Sequence, residues 1–376
     1  MFRTFMKIGI DARMYGARQT GIGNYIRHLT ENLFKIDREN QYFVFLLKPE
    51  FSRYRILSPQ VKKIKVRARW YTLSEQLIFA SVLNRYNLDL MHFPHFNAPF
   101  LYRGKYVLTV HDITQKYFPG ASFWRKQAYQ FIFSHNIKAA RRVIAVSRFT
   151  KNNILNNFSC EAKKIKVIYE GVDSRFKPGN KDEALIRLRQ KYPLNKPFIL
   201  YAGVMREHKN VVGLVSAFNL FLKKYRLDYQ LVLVGNFDPR YTEIQTKIDR
   251  LKLNKKVVQP GFVSFDELLL FYQAAEVLVL PSFREGFGFT PLEAISCGTP
   301  VAASNTTSLP EILGKAACYF DPYDIKNMAE TIYKILEDRN LQDVLVCRGQ
   351  KMIKNFSWTK CASATLKLYQ EAAALK

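Results

Sequence analysis

Short apolar runs bounded by Gly, Pro and Asn alternate along this chain with stretches whose apolar residues recur every three or four positions. The runs at 6–11, 42–47, 61–68, 89–93, 106–111 and 142–146 predict strands in the first half. Those at 198–204, 230–235, 257–261, 277–281, 300–303 and 317–320 predict strands in the second. Between them lie helical patterns such as Ile26, Leu29 and Leu33. This alternation predicts βαβ units and parallel sheets, an α/β protein in two halves. The turn-rich segment from Gly171 to Asn180 separates a domain at 1–175 from one at 176–355. The remainder, 356–376, is helical, with Trp358, Cys361, Thr365, Leu368, Tyr369 and Ala372 at helical spacing.

The most informative segment is Glu285-Gly286-Phe287-Gly288-Phe289-Thr290-Pro291-Leu292-Glu293. It follows the apolar run that ends at Pro281-Ser282 and leads into a helix. Open α/β sheets place ligands at such strand–loop–helix junctions, beyond the carboxyl ends of the strands. Glycines there let the backbone approach a ligand and leave its N–H groups free to donate. Glu293 has a second reading: Thr290-x-x-Glu293 with Pro291 is a capping box, in which the glutamate satisfies the N–H groups of a helix start. Glu285 has no such structural use.

This segment resembles the Glu-x7-Glu motif of retaining glycosyltransferases of family 4. The resemblance extends from Gly21-Ile-Gly-Asn-Tyr through His92-Phe-Pro-His95-Phe-Asn to Phe356-Ser-Trp358. It implies the GT-B architecture: two Rossmann-like domains facing a cleft, with the C-terminal helix returning to the first. It also implies that Glu285 and the backbone of Gly286, Phe287, Gly288 and Phe289 hold the transferred sugar, and that Glu293 grips the ribose of the nucleotide.

Other positions carry weaker signals. Gly21 and Gly23 open the first βα junction, where a tight turn or an anion site are both readings of Gly-x-Gly; the resemblance implies approach to the donor diphosphate. His111, next to Asp112, ends a buried strand, and the resemblance implies contact with the sugar. Ser147 ends the next strand, as a site residue or as a helix N-cap. Lys209, and less cleanly Arg206, match cations that hold the donor diphosphate, for which charge and helix-terminal N–H groups act together.

Composition narrows the class. The chain has 376 residues, 48% hydrophobic and 24% charged, which suits two globular cores rather than disorder. Five scattered cysteines fit a reducing compartment, and no Asp-x-Asp or His/Cys cluster suggests a metal site. No cofactor and no metal are expected. With no signal-peptide pattern and no long apolar run, the expected location is the cytoplasm. Net charge is +27 and uneven: residues 1–175 hold 30 Lys and Arg against 11 Asp and Glu, and residues 176–376 hold 28 against 20. Such a field attracts anionic surfaces. Lys63, Lys65, Arg67 and Arg69 alternate with Ile64, Val66, Ala68 and Trp70, and Phe118, Phe123, Trp124, Arg125, Lys126 and Tyr129 form a second mixed cluster. Both fit a peripheral face on an anionic membrane; a solvated edge strand and a packed helix fit as well.

The resulting expectation is a retaining glycosyltransferase that moves a hexose from a nucleoside-diphosphate sugar to a glycan or lipid-linked acceptor in cell-surface polysaccharide synthesis. The pattern looks most like bacterial mannosyltransferase members, so GDP-mannose is the first donor and a UDP-sugar the second. A glycosidase using Glu285 and Glu293 as a carboxylate pair, and a nucleic-acid-binding protein, are the alternatives. The Lys209 loop has no use in a hydrolase, and no nucleic-acid motif occurs, so nucleic acid is not an expected partner.

Overall fold

Strands that are apolar on both faces need cover on both sides, and helices between parallel strands supply it. The computed structural model describes residues 5–16, 20–56, 58–118, 123–238 and 241–375, without the side chains of Thr20, Phe123 and Arg125. They fall into two units, Met1–Gly171 with Ser357–Lys376, and Val172–Phe356. The first division thus lies before the expected limit at 175. Val172 N donates to Phe356 O at 3.3 Å, tying the two ends of the second unit together.

The first unit contains seven parallel strands: β1 Lys7–Asp11, β2 Gln41–Leu47, β3 Val61–Val66, β4 Leu90–Phe93, β5 Tyr106–Val110, β6 Arg142–Ala145 and β7 Ile165–Val167. Their order is β3-β2-β1-β4-β5-β6-β7, so the direction of winding reverses between β1 and β4. Strand β7 was not expected. It is three residues long and carries an exposed Lys166, too short and too polar for an apolar run to show.

The C-terminal helix Trp358–Ala374 is part of this unit and packs on the helix Thr20–Ile36. Ser357 caps it by accepting from Lys360 N. Its Tyr369 hydroxyl lies 2.6 Å from His92 Nδ1, and His92 Nε2 lies 2.8 Å from Thr109 Oγ1. Tyr25 completes the chain at 3.0 Å from Thr109 Oγ1. Burial, aided by the charge of His111, pulls the pKa of His92 down to about 3, so the ring sits neutral between two hydroxyls.

At the edge, β3 does not show the simple alternation of a cationic and an apolar face. Lys63 Nζ donates to Phe51 O at 3.0 Å and to Tyr54 O at 3.4 Å, and sits 4.5 Å over the Phe51 ring. It is thereby taken out of the expected cationic row, whereas Lys65, Arg67 and Arg69 are exposed. The second cluster also divides. Trp124 is 80% exposed, but Tyr129 is buried against Phe96 and Phe133. The side chains of Phe123 and Arg125 lie outside the described residues.

The second unit has six parallel strands: β8 Phe198–Ala202, β9 Gln230–Val234, β10 Val257–Gly261, β11 Val277–Leu280, β12 Val301–Ser304 and β13 Cys318–Phe320. The order is β10-β9-β8-β11-β12-β13, with its reversal between β8 and β11. Strands β8, β9 and β11 are buried at every residue. Val211, Leu214, Val215, Phe218 and Phe221 form the buried face of the helix Val211–Tyr225 above them.

Candidate active site

In the second unit, the carboxyl ends of three adjacent strands are bare backbone. Gly203 follows β8 with φ 150, Gly235 follows β9 with φ 136, and Gly261 ends β10 with φ 76. Gly235 N donates to Gly261 O at 2.9 Å. A Cβ at Gly235 would stand 1.9 Å from Gly203 O, so no side chain fits there.

Beside this bed, the loops after β8 and β11 meet where the winding reverses. Phe283 N donates to His208 O at 2.9 Å. Lys209 Nζ donates to both carboxylate oxygens of Glu285, at 2.7 and 2.8 Å. Glu285 Oε1 also accepts from Ser282 Oγ at 2.7 Å. Its backbone is held as firmly: N donates to Thr307 Oγ1 at 3.1 Å, and O accepts from Ser308 Oγ at 3.1 Å. Thr307 holds a positive φ of 59, a costly conformation for a β-branched residue. The local backbone stores strain where it fixes the Glu285 amide.

The glycine loop runs into the helix Phe289–Ser296, whose N-cap is Gly288 at φ 95 with no side-chain cap. The capping-box reading of Thr290 and Glu293 is therefore corrected: the helix starts earlier, at Phe289, with Thr290 and Glu293 inside it. Glu293 instead accepts from the Tyr272 hydroxyl at 2.7 Å. Burial and the Glu293 charge push the Tyr272 phenol well up, so it remains a donor. Phe287 is buried 5.6 Å from Phe289 and 5.8 Å from Phe356, so its side chain anchors the loop while Gly286 and Gly288 shape its backbone. Arg206 does not join Lys209 at Glu285. Its side chain is 58% exposed and its Nε lies 4.0 Å from Asp238.

In the first unit, His111 sits beyond β5 with both ring nitrogens engaged. Nδ1 lies 3.0 Å from Glu170 Oε1, and Nε2 lies 3.0 Å from Pro94 O. Burial opposes charge on His111, but the Glu170 carboxyl and the Pro94 carbonyl outweigh it and hold the pKa above the usual histidine value. Burial raises Glu170 as well, with His111 offsetting part of the rise. Asp112, the neighbour singled out in the sequence, caps Thr114 N instead. Ser147 is fully buried and is the N-cap of the helix Arg148–Asn157, accepting from Thr150 N at 3.0 Å. The Thr150 hydroxyl donates in turn to His111 O at 3.2 Å.

Gly21 and Gly23 lie inside the helix Thr20–Ile36 rather than in a loop before it. A Cβ at Gly23 would stand 2.0 Å from Gly16 O, so the residue is required for a close backbone approach. Residues 17–19 of that junction lie outside the described residues.

Sequence reasoning missed Glu170, Tyr272, Thr307 and a buried network at the winding reversal of the first sheet. There Arg13 binds Asp11 at 2.7 Å and Glu75, and Asn97 Nδ2 donates to Glu75 Oε2 at 2.6 Å. Only Glu170 had an available signal, a carboxylate immediately before the domain-linking Gly171. Among the described residues, no group of three His, Cys, Asp or Glu side chains is placed to hold a metal ion.

Comparison with known proteins agrees with this geometry. Residues 183–352 match the family described as Glycosyl transferases group 1, and residues 20–176 match Glycosyltransferase Family 4. The chain is 32% identical over 295 residues to the O-antigen chain mannosyltransferase B of Escherichia coli, covering 77% of this chain and 76% of that one. It is 31% identical over 266 residues to the O-antigen chain mannosyltransferase RfbU of Salmonella typhimurium, covering 71% and 70%. The fold is shared with the Anabaena protein HepE in complex with UDP-glucose, at TM-score 0.78 and 18% identity over 97% of this chain and 100% of that one. With both halves matched by the family and these two mannosyltransferase relatives aligned along most of their length, the chain belongs to glycosyltransferase family 4, and its two Rossmann-like units are those of a GT-B enzyme.

Proposed function

We propose that the protein transfers a hexose, with retention, from a nucleoside-diphosphate sugar to a glycan or lipid-linked acceptor in cell-surface polysaccharide synthesis. The observation that carries this reading is the Lys209–Glu285 pair beside a glycine bed at the winding reversal of the second sheet. A diphosphate on that bed meets the Lys209 ammonium and bare backbone, while the sugar hydroxyls meet Glu285 and the Gly286–Phe289 amides. Glu293 takes the ribose. The bond from the anomeric carbon to the leaving phosphate oxygen breaks, the bond to the acceptor hydroxyl oxygen forms, and the hydroxyl proton passes to the departing phosphate. Lys209 and Arg206 stabilise the charge that develops on the diphosphate, and Glu285 orients the sugar. The mannosyltransferase names of the relatives favour GDP-mannose over a UDP-sugar, although HepE binds UDP-glucose.

The site of action in this reading is the inner face of the cytoplasmic membrane. No helix among the described residues is long and apolar enough to cross a membrane. The excess charge of the first half and the exposed Leu73, Leu77 and Ile78, at 82%, 62% and 51%, support peripheral attachment.

A thermal-shift panel of GDP, UDP, GDP-mannose and UDP-glucose tests the donor, because ligands that bind the native state stabilise it by mass action. Stabilisation by GDP and GDP-mannose, followed by mannose transfer, is expected. Stabilisation by UDP compounds alone reassigns the donor, and no response to any of the four overturns the reading.

A further inference from the structure

The chain enters the second unit along residues 172–180, and this connector is fastened to the helix that carries Tyr272 and to the helix that carries Glu293. Phe265 and Tyr272 lie on one face of the helix Phe265–Ala274. The buried Phe176 ring packs against both, 4.8 Å from Phe265 and 5.6 Å, edge to face, from Tyr272. A turn aims that ring, with Phe176 N donating to Asp173 O at 3.0 Å. Arg175 lies 3.8 Å over the Phe265 ring, and Asp173 fixes its guanidinium by contacts of 2.6 to 3.1 Å. Further along, Gln273 Nε2 donates to Lys177 O at 3.0 Å, and a backbone hydrogen bond joins Lys177 to Cys297 at the end of the helix Phe289–Ser296. A Cβ at Gly179 would stand 2.4 Å from Gln273 Nε2, so the connector lies close against the first of these helices.

The Tyr272 hydroxyl holds Glu293 Oε2 at 2.7 Å. A hydrogen bond to a carboxylate is strong but directional, so a small swing of the phenol ring withdraws it. What limits that swing is the packing on the ring, and Phe176 supplies one wall of it. We propose that Phe176 is a positioning residue for the nucleotide ribose: it wedges Tyr272 so that the phenol turns the Glu293 carboxylate toward the ribose hydroxyls. The role rests on the ribose reading of Glu293 and adds to it. Phe176 has no polar atom to offer a ligand and acts through Tyr272, so a residue of the connector sets donor affinity.

The test is a double-mutant cycle on the full chain, read by calorimetry with GDP, UDP, guanosine and uridine. Phe176→Leu leaves a gap beside the Tyr272 ring. It should raise the dissociation constants of the preferred nucleotide and of its nucleoside by the same factor, about fivefold, the value of one hydrogen bond. In the Tyr272→Phe background the same substitution should change neither constant further, because the hydroxyl that it steers is gone. Phe218→Leu, on the buried face of the helix Val211–Tyr225, is the control for a general loss of packing. It should lower the melting temperature and leave both constants at their wild-type values. If Phe176→Leu does not fold, Arg175→Ala, at a half-exposed position beside the same rings, takes its place in the cycle. Equal losses with and without the Tyr272 hydroxyl overturn the proposal, as does a loss no larger than that in Phe218→Leu. Weakening of the nucleotide with no change toward the nucleoside also overturns it and moves the effect to the diphosphate. Glu293→Gln separates this role from the reading beneath it. If Glu293→Gln weakens the nucleoside and Phe176→Leu does not, the positioning role alone falls. If Glu293→Gln leaves nucleoside affinity unchanged, the ribose reading falls as well, and a wild-type chain that binds neither nucleotide overturns the donor reading itself.

Discussion

Lys209 Nζ lies 2.7 and 2.8 Å from the two carboxylate oxygens of Glu285, across 76 residues of sequence. The two side chains, 21% and 10% exposed, are the two expected to bind different parts of a donor, phosphate and sugar. Each therefore keeps the other's charge compensated, and under the proposed function this hydrogen-bonded pair would couple the binding of sugar and diphosphate.

Glu285→Gln should remove most transfer activity, and Lys209→Ala should weaken a nucleoside diphosphate far more than the nucleoside. Each single change also leaves a largely shielded charge without its partner, at a cost of roughly 1–3 kcal/mol to the unliganded protein. The double variant should recover part of that cost. Urea denaturation of the four proteins measures the coupling; additive losses would show that the pair does not interact, and full turnover by Glu285→Gln would remove it from the mechanism.

Glu293→Gln should weaken the nucleoside as much as the nucleoside diphosphate, because its partner is Tyr272 rather than a helix start. Tyr272→Phe should reproduce that loss in part and lower stability by about 1 kcal/mol or somewhat more. Isothermal titration with both ligands decides between this role and a diphosphate contact, which only the second ligand would report.

Gly235→Ala should be severe. The new methyl would stand 1.9 Å from Gly203 O at a φ of 136, so β8 and β9 would have to part at their carboxyl ends. A fall in melting temperature together with loss of nucleotide binding is expected. Gly314→Ala, with a positive φ of 51 but open space around it, is the control and should retain binding.

Lowering the pH should destabilise the first unit through His92. Its folded pKa, about 3, lies below the ordinary value of 6.5, so the unfolded chain binds the extra proton between those limits. The contribution is fully present above the ordinary value and is lost as pH falls, by up to roughly 1.4 kcal/mol per pH unit. His92→Asn should flatten the dependence between pH 6.5 and 5, as followed by urea midpoints; an unchanged slope would assign it to other groups.

Vesicle co-sedimentation tests the membrane reading. The protein should bind phosphatidylglycerol vesicles at low salt and not phosphatidylcholine vesicles. Leu73→Ser/Leu77→Ser/Ile78→Ser should release it without altering nucleotide affinity. Equal binding by the variant would place the contact elsewhere on the molecule.

The strands were legible because parallel strands covered on both faces are unbroken apolar runs, and β8, β9 and β11 are buried at every residue. The glutamate–glycine segment was legible because its chemistry is local: two carboxylates, two glycines and a helix start lie within nine residues. Even there the cap was misread, since Thr290 and Pro291 carry the same letters whether the helix starts before or after them. What tertiary structure decided was partnership. The lysine at 63 belongs to a cationic row by alternation, yet nearby carbonyls take it; His111 stands beside Asp112 in sequence and pairs with Glu170 in space. Periodicity reports which face of an element is buried. It carries no information on which loops meet when strand order reverses, and the reversal from β8 to β11 is where Lys209 meets Glu285.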